Sequence, residues 1–154
     1  MSGNVKPIPD GYEAVTPYLI VKDAAAAIEF YKNAFGATEL MRMGAPGGKI
    51  GHAEIKIGKS PVMLADEHPE MRVYGPGHFG GTPVHLLLYV EDVDAVVKRA
   101  MDLGSELDRP IKDQFYGDRS GTIRDPYGHQ WTVATHKEDV SPEEMKRRMA
   151  AMSH

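Results

Sequence analysis

Residues 17–36, PYLIVKDAAAAIEFYKNAFG, and residues 86–104, LLLYVEDVDAVVKRAMDLG, carry the same pattern twice. Each opens on a short apolar run, Tyr18-Leu19-Ile20-Val21 and Leu87-Leu88-Tyr89-Val90, that reads as a β-strand. Each then places an aspartate, Asp23 or Asp92, where its carboxylate can accept from the free N–H groups of a starting helix. After Asp23 the residues Ala24, Ala27, Ile28, Tyr31 and Phe35 recur at helical spacing. After Asp92 the same rhythm runs through Val93, Val96, Val97, Ala100 and Leu103. Both are one-faced helices that must cover another layer. Both are expected to stop at a glycine, Gly36 or Gly104, suited to a left-handed C-terminal cap. The step from Gly36 to Gly104 is one position shorter than the step from Asp23 to Asp92, so the second helix has lost a residue.

The repeat extends outward. Gly51 to Gly58 (GHAEIKIG) and Gly121 to Gly128 (GTIRDPYG) keep the same interval at both glycines, and each leads into another apolar strand, Pro61–Leu64 or Trp131–Ala134. Asp125-Pro126-Tyr127-Gly128 is a turn signal. Module one is expected over about residues 14–67 and module two over about 83–136. The Gly- and Pro-rich stretch 68–82 reads as their linker. At the C-terminus, Ser141-Pro142-Glu143-Glu144 is a capping box with proline at the first helical position, and predicts a helix over 141–152. Its thin stripe of Met145, Met149 and Met152 predicts docking on the body or on a partner.

Length and composition bound the function. A chain of 154 residues with 42% apolar and 26% charged residues is sized for one globular domain. A net charge of −4 gives no basic face for nucleic acid. The chain has no cysteine, which removes disulfides, thiolate metal sites and cysteine nucleophiles, and suits a cytoplasmic location. No apolar run approaches the ~20 residues of a membrane span, and the N-terminus lacks the apolar core of a signal peptide. Gly44-Ala45-Pro46-Gly47-Gly48 lacks the lysine and helix start of a phosphate loop and reads as a hairpin tip.

Several stretches together resemble the glyoxalase/bleomycin resistance/dioxygenase (vicinal oxygen chelate) superfamily, and its PhnB-like branch. They are Val15-Thr-Pro-Tyr-Leu19, the helix ending Glu29-Phe-Tyr-Lys-Asn-Ala-Phe-Gly36, Tyr116-Gly-Asp-Arg119 and Asp125-Pro-Tyr-Gly-His-Gln-Trp131. The resemblance covers about residues 14–139. It implies an α+β fold of two βαβββ modules whose eight strands form a U-shaped cavity, here with an added C-terminal helix. It also implies a homodimer and a small-molecule ligand. Metal-using members of the family carry His, Gln or Glu near the start of each module's first strand and on its last strand.

Those positions hold Thr16 and His85 on the first strands, and Val62 and Thr132 on the last. One strong ligand in four does not make a divalent site, which needs three or more protein donors. The standard metal centre is therefore expected to be missing, with His85 the one metal candidate.

Strand alternation turns Ala53, Ile55 and Ile57 to the helix and His52, Glu54 and Lys56 away from it. The same parity puts Thr16, Tyr18, His85 and Thr132 on the cavity side. Gln114, Tyr116 and Arg119 offer an amide, a phenol and a guanidinium near its mouth, groups that orient a planar polar ligand. The plain alternatives are a solvated strand face for Glu54 and Lys56, a hydrogen-bonded buried histidine for His85, and a structural Asp118–Arg119 pair.

Three functions follow. The first is a small-molecule-binding protein without the standard metal site and with no assigned cofactor. The second is a metal-dependent lyase or dioxygenase with a divalent ion at a rearranged site of His85, perhaps with His52 and Glu54. The third is a non-catalytic dimeric interaction module.

Overall fold

Asp23 and Asp92 cap the two repeated helices. Asp23 Oδ1 accepts from Ala26 N at 3.1 Å and Asp92 Oδ1 from Ala95 N at 3.2 Å. In the computed structural model, which describes residues 3–153, these caps begin α1 (Ala24–Phe35) and α3 (Val93–Asp102). The chain divides at Gly81/Thr82 into two units.

The first unit orders its elements as β1 (Tyr18–Val21), α1, β2 (Thr38–Ala45), β3 (Lys49–Ile57) and β4 (Ser60–Asp66), followed by a short helix α2 (Pro76–Phe79). Its sheet runs β1-β4-β3-β2, with β1 parallel to β4 and the other pairs antiparallel. The second unit repeats the order with β5 (His85–Tyr89), α3, β6 (Glu106–Asp113), β7 (Asp118–Arg124) and β8 (Gln130–His136), giving β5-β8-β7-β6. Each unit is thus a βαβββ module.

Each helix covers one face of its own sheet. Ala24, Ala27, Ile28, Tyr31 and Phe35 of α1 are buried, with Phe30 and Ala34. Leu19, Val21, Ala53, Ile55, Ile57 and Leu64 from the strands are buried as well. In the second unit Val93, Val96, Val97 and Ala100 are buried with Ile123, Trp131 and Val133. Gly36 caps α1 in the left-handed region, as its position predicts. The second helix departs from that expectation. It ends at Asp102, Leu103 is the cap at φ −96°, and positive φ is delayed to Gly104. Leu103 therefore leaves the buried stripe and is exposed.

The strand registers correct one equivalence. Leu64 pairs with Ala53, and Val133, its counterpart in the second unit, pairs with Gly121. Gly121 therefore takes the place of Ala53, and the coincidence of Gly51 with Gly121 is not structural. The cause is the hairpin. Ile57 pairs with Ser60 across a tight turn, whereas Arg124 pairs with Gln130 across the wider Asp125–His129 loop. Asp125 organises that loop from within, accepting from Tyr127 N, His129 N and Trp131 Nε1 at 2.9–3.0 Å.

The stretch 68–82, expected as a linker, is folded rather than slack. His68 bridges to Val73 around a 3-10 turn, Pro69–Met71, and Tyr74 stacks on His78 at 3.7 Å between ring centres. The tail helix α4 (Pro142–Met152) starts at Ser141, whose Oγ accepts from Glu144 N. Arg148 fastens it by donating to Phe115 O and to Glu138, while Met149 and Met152 stay exposed.

Candidate functional site

Alternation along β1 turns Leu19 and Val21 under α1 and leaves Tyr18 and Ile20 on the opposite face of the sheet. Along β3 the same rule buries Ala53 and Ile55 and leaves His52 and Glu54 half-exposed. The parallel β1·β4 and antiparallel β3·β4 ladders then bring Tyr18 beside His52. Tyr18 Oη lies 2.7 Å from His52 Nδ1, and His52 Nε2 lies 2.9 Å from Glu54 Oε2. The other oxygen of Glu54 accepts from the Tyr12 hydroxyl. The result is a continuous chain, Tyr18–His52–Glu54–Tyr12.

The direction of the chain follows from the donor inventory. A carboxylate only accepts, so His52 Nε2 must carry a proton toward Glu54. With the imidazole neutral, its single N–H is the one on Nε2, so Nδ1 accepts and Tyr18 donates to it. Burial pushes the Tyr18 phenol above its ordinary value, which keeps that proton in place.

Tyr18 also lines a cavity of about 570 Å³. Its floor is Ile20, Ile50 and Ala65, and its rim is made by residues 45–46 and by the His68–Val73 hairpin. Asp66 fixes the wall from behind: Oδ1 accepts from Ala24 N at 2.9 Å and Oδ2 from Ile50 N at 2.7 Å. Glu67 holds the neighbouring segment by accepting from Gly75 N at 2.8 Å. The volume lies within the few-hundred to ~1,000 Å³ range of small-molecule sites.

The second unit places its residues differently. His85 opens β5, is exposed, and stands opposite Gln130 in the sheet. Thr132 exchanges a hydrogen bond with Thr122 at 3.0 Å. Gln114 donates to Ser120 Oγ and lines a smaller cavity of about 410 Å³ with Asp113, Gly117, Asp118, Lys137 and Glu138. Tyr116 is exposed and packs edge-on against Phe115.

Arg119 does not pair with Asp118, as one reading of the sequence had it. It donates to Asp94 at 2.8 and 3.0 Å and to Asp113 at 3.3 Å, which raises the guanidinium and lowers the Asp94 carboxyl. Asp118 is buried and accepts from Tyr89 Oη at 2.8 Å while lying 2.7 Å from His136 Nδ1. His136 Nε2 reaches Asp139 at 2.8 Å. Asp118 first, and then Asp139, raises the His136 imidazole, and the bond to Asp118 raises the Tyr89 phenol.

Among the expected site residues, the fold therefore joins Tyr18, His52 and Glu54 in one chain. Thr16 precedes β1, half-buried. Sequence reasoning missed Tyr12, which lies far away in sequence, and Asp66, at the end of β4. Neither unit fits a divalent ion. His52 and Glu54 are committed to each other and to the two phenols, and among the described residues no three His, Asp or Glu side chains are placed to hold a metal ion together.

Residues 13–133 match the model of the glyoxalase/bleomycin resistance protein/dioxygenase superfamily. The chain belongs to that superfamily. An uncharacterized protein of Mycobacterium bovis is 40% identical over 98% of this chain and 97% of its own. Among solved structures, TioX from Micromonospora sp. ML1 is 26% identical, with a TM-score of 0.62 over 84% of this chain and all of its own. The fold is shared at lower identity by the fosfomycin resistance protein FosX of Listeria monocytogenes. That match has 20% identity and a TM-score of 0.64 over 86% of this chain and 97% of FosX. A Bacillus cereus PhnB protein also matches, at 18% identity and a TM-score of 0.63, over 80% of this chain and 99% of its own. Among the described residues no helix is long and apolar enough to cross a membrane.

Proposed function

We propose that this superfamily member binds a small organic molecule, and that the ligand occupies the cavity beside Tyr18. The observation that carries the reading is the cavity itself: about 570 Å³, floored by Ile20, Ile50 and Ala65, with one hydrogen-bonded phenol in its wall. Apolar body and few fixed polar groups is the composition of a small-molecule site. The clamp of Asp66 on Ala24 and Ile50 keeps that wall in shape without a ligand. A homodimer belongs to the same proposal. Leu87 and Tyr89 stand exposed on one face of β5, an apolar patch that a second copy would cover.

The test is a panel of small aromatic probes, followed by thermal shift and by amide chemical-shift mapping. Binding is expected to move the amides of Ile20, Ala45, Ile50 and Val73, and to disappear in Ala45→Trp, which fills the rim. Probe shifts that persist in Ala45→Trp, or that map away from these residues, would reject the cavity as the site. Light scattering on the same samples reads the dimer directly, and a monomeric mass at working concentration would remove it.

A further inference from the structure

The cavity's polar chemistry is weighted toward acceptors. The proton of Tyr18 is committed to His52 Nδ1, because Glu54 fixes the imidazole tautomer. A molecule approaching the Tyr18 oxygen from the cavity therefore meets lone pairs and no free O–H. Among the charged side chains of the lining the acids outnumber the base, Asp66, Glu67 and Glu70 against Lys49, with the His68 imidazole beside them. The floor and the hairpin add Ile20, Ile50, Met71 and Val73.

The geometry points to an organic ammonium as the ligand of this cavity: an apolar, ring-sized body carrying a protonated amine that donates to the Tyr18 oxygen. The inference rests on the cavity-binding reading and adds the ligand class to it. Acceptor-only ligands such as ketones meet no donor at Tyr18, and carboxylates meet like charge along the wall.

The chain also supplies its own control. In Glu54→Gln the Gln carbonyl still accepts from Tyr12, while its NH2 donates to His52 Nε2. The imidazole must then carry its proton on Nδ1 and donate to Tyr18, which frees the Tyr18 O–H. A near-isosteric change 2.9 Å beyond His52 thus turns the cavity's phenol from acceptor to donor.

The experiment titrates the full chain with 1-naphthylmethylamine and with 1-acetylnaphthalene, bodies of the same size with opposite hydrogen-bonding sense. Wild type is expected to bind the amine about tenfold or more tightly than the ketone, the scale of one hydrogen bond to a charged group. Tyr18→Phe is expected to lower amine affinity by a similar factor and leave the ketone unchanged. Glu54→Gln is expected to narrow or reverse the preference with its thermal midpoint close to wild type. Equal binding of both probes, or a preference untouched by Glu54→Gln, would overturn the ammonium assignment while the cavity reading stands, provided Ala45→Trp abolishes both. Tighter binding of the ketone in wild type would overturn it likewise. Binding of neither probe, or binding that survives Ala45→Trp, would bring down the cavity reading and the ligand class with it.

Discussion

Asp66 offers the sharpest test of how the fold builds the cavity. Its two carboxylate oxygens accept from the backbone N–H groups of Ala24, at the start of α1, and of Ile50, at the start of β3. Both acceptors serve buried residues, Ala24 at 0% exposure and Ile50 at 5%. In Asp66→Ala both N–H groups lose this charged acceptor. A hydrogen bond to a charged group contributes about 1.5–3 kcal/mol, and a buried donor left unpaired costs on the order of 1–3 kcal/mol. Two such bonds give an expected loss of about 3–5 kcal/mol, a large share of the ~5–15 kcal/mol that holds a domain folded. Asp66→Asn keeps one accepting oxygen and turns an NH2 toward the other donor, so it is expected to lose about 2–3 kcal/mol. The assay is equilibrium urea unfolding followed by far-UV circular dichroism. With a slope of ~1–3 kcal/mol per molar, the Ala variant's midpoint should fall by about 2 M. A loss below ~1 kcal/mol with an unchanged slope would refute the argument that this carboxylate joins the helix to the sheet.

Two further predictions concern the second unit. Gly117 sits at φ +106°, and a Cβ there would lie 2.2 Å from the Glu138 carbonyl oxygen. Gly117→Ala is therefore expected to lose at least ~3 kcal/mol in the same unfolding assay, and a near-neutral result would contradict the backbone path at that turn. His136, raised by Asp118 and Asp139, contributes stability that is fully present below the ordinary imidazole pKa of ~6.5 and disappears as pH rises through its raised value. The unfolding midpoint of wild type relative to His136→Gln is expected to be highest near pH 6 and to decline above it. A difference that grows with pH would invert the assignment.

The scaffold was legible because its signals are local. Asp23 and Asp92 announce helix starts within three residues, and the stripes of α1 and α3 need only the ~3.6-residue periodicity of a helix. The site was legible in part for the same reason. Alternation along β3 put His52 and Glu54 on the open face, and alternation along β1 put Tyr18 there. What alternation cannot supply is which residues meet across strands. The register brings Tyr18 to His52 over 34 positions, and the segment before β1 brings Tyr12 to Glu54 over 42. Asp66 and Thr135 were invisible for a related reason. Each bonds the first N–H of its unit's helix, Ala24 N at 2.9 Å and Val93 N at 2.9 Å, from the far end of the last strand. The glycine coincidence at positions 51 and 121 misled because spacing along the chain cannot distinguish a tight hairpin from a wider one.

The true registers also separate what the repeat preserves from what it changes. The helix caps agree at Asp23 and Asp92, and the strand-end acceptors agree at Asp66 and Thr135, both pairs set at the same interval along the chain. The open face does not agree. Met63 pairs with Glu54 where Thr132 pairs with Thr122, so Thr122 occupies the position of Glu54 and Ser120 that of His52, while Leu87 stands in place of Tyr18. Ser120 accepts from Gln114 and Thr122 bonds Thr132, which satisfies those hydroxyls without any group that titrates near neutrality. The duplicated framework is thus held by the same bonds in both units, whereas these three positions form a phenol–imidazole–carboxylate chain in the first alone; the second unit joins its own phenol, carboxylate and imidazole at other positions, Tyr89, Asp118 and His136. Framework bonds join helix to sheet in both units, and their loss costs stability, as argued for Asp66. The strands do not depend on that chain, since the three equivalent positions in the second unit hold a leucine, a serine and a threonine. The Tyr18–His52–Glu54 chain stands where the second unit folds without one, and it borders the cavity of about 570 Å³, which is why binding is proposed there.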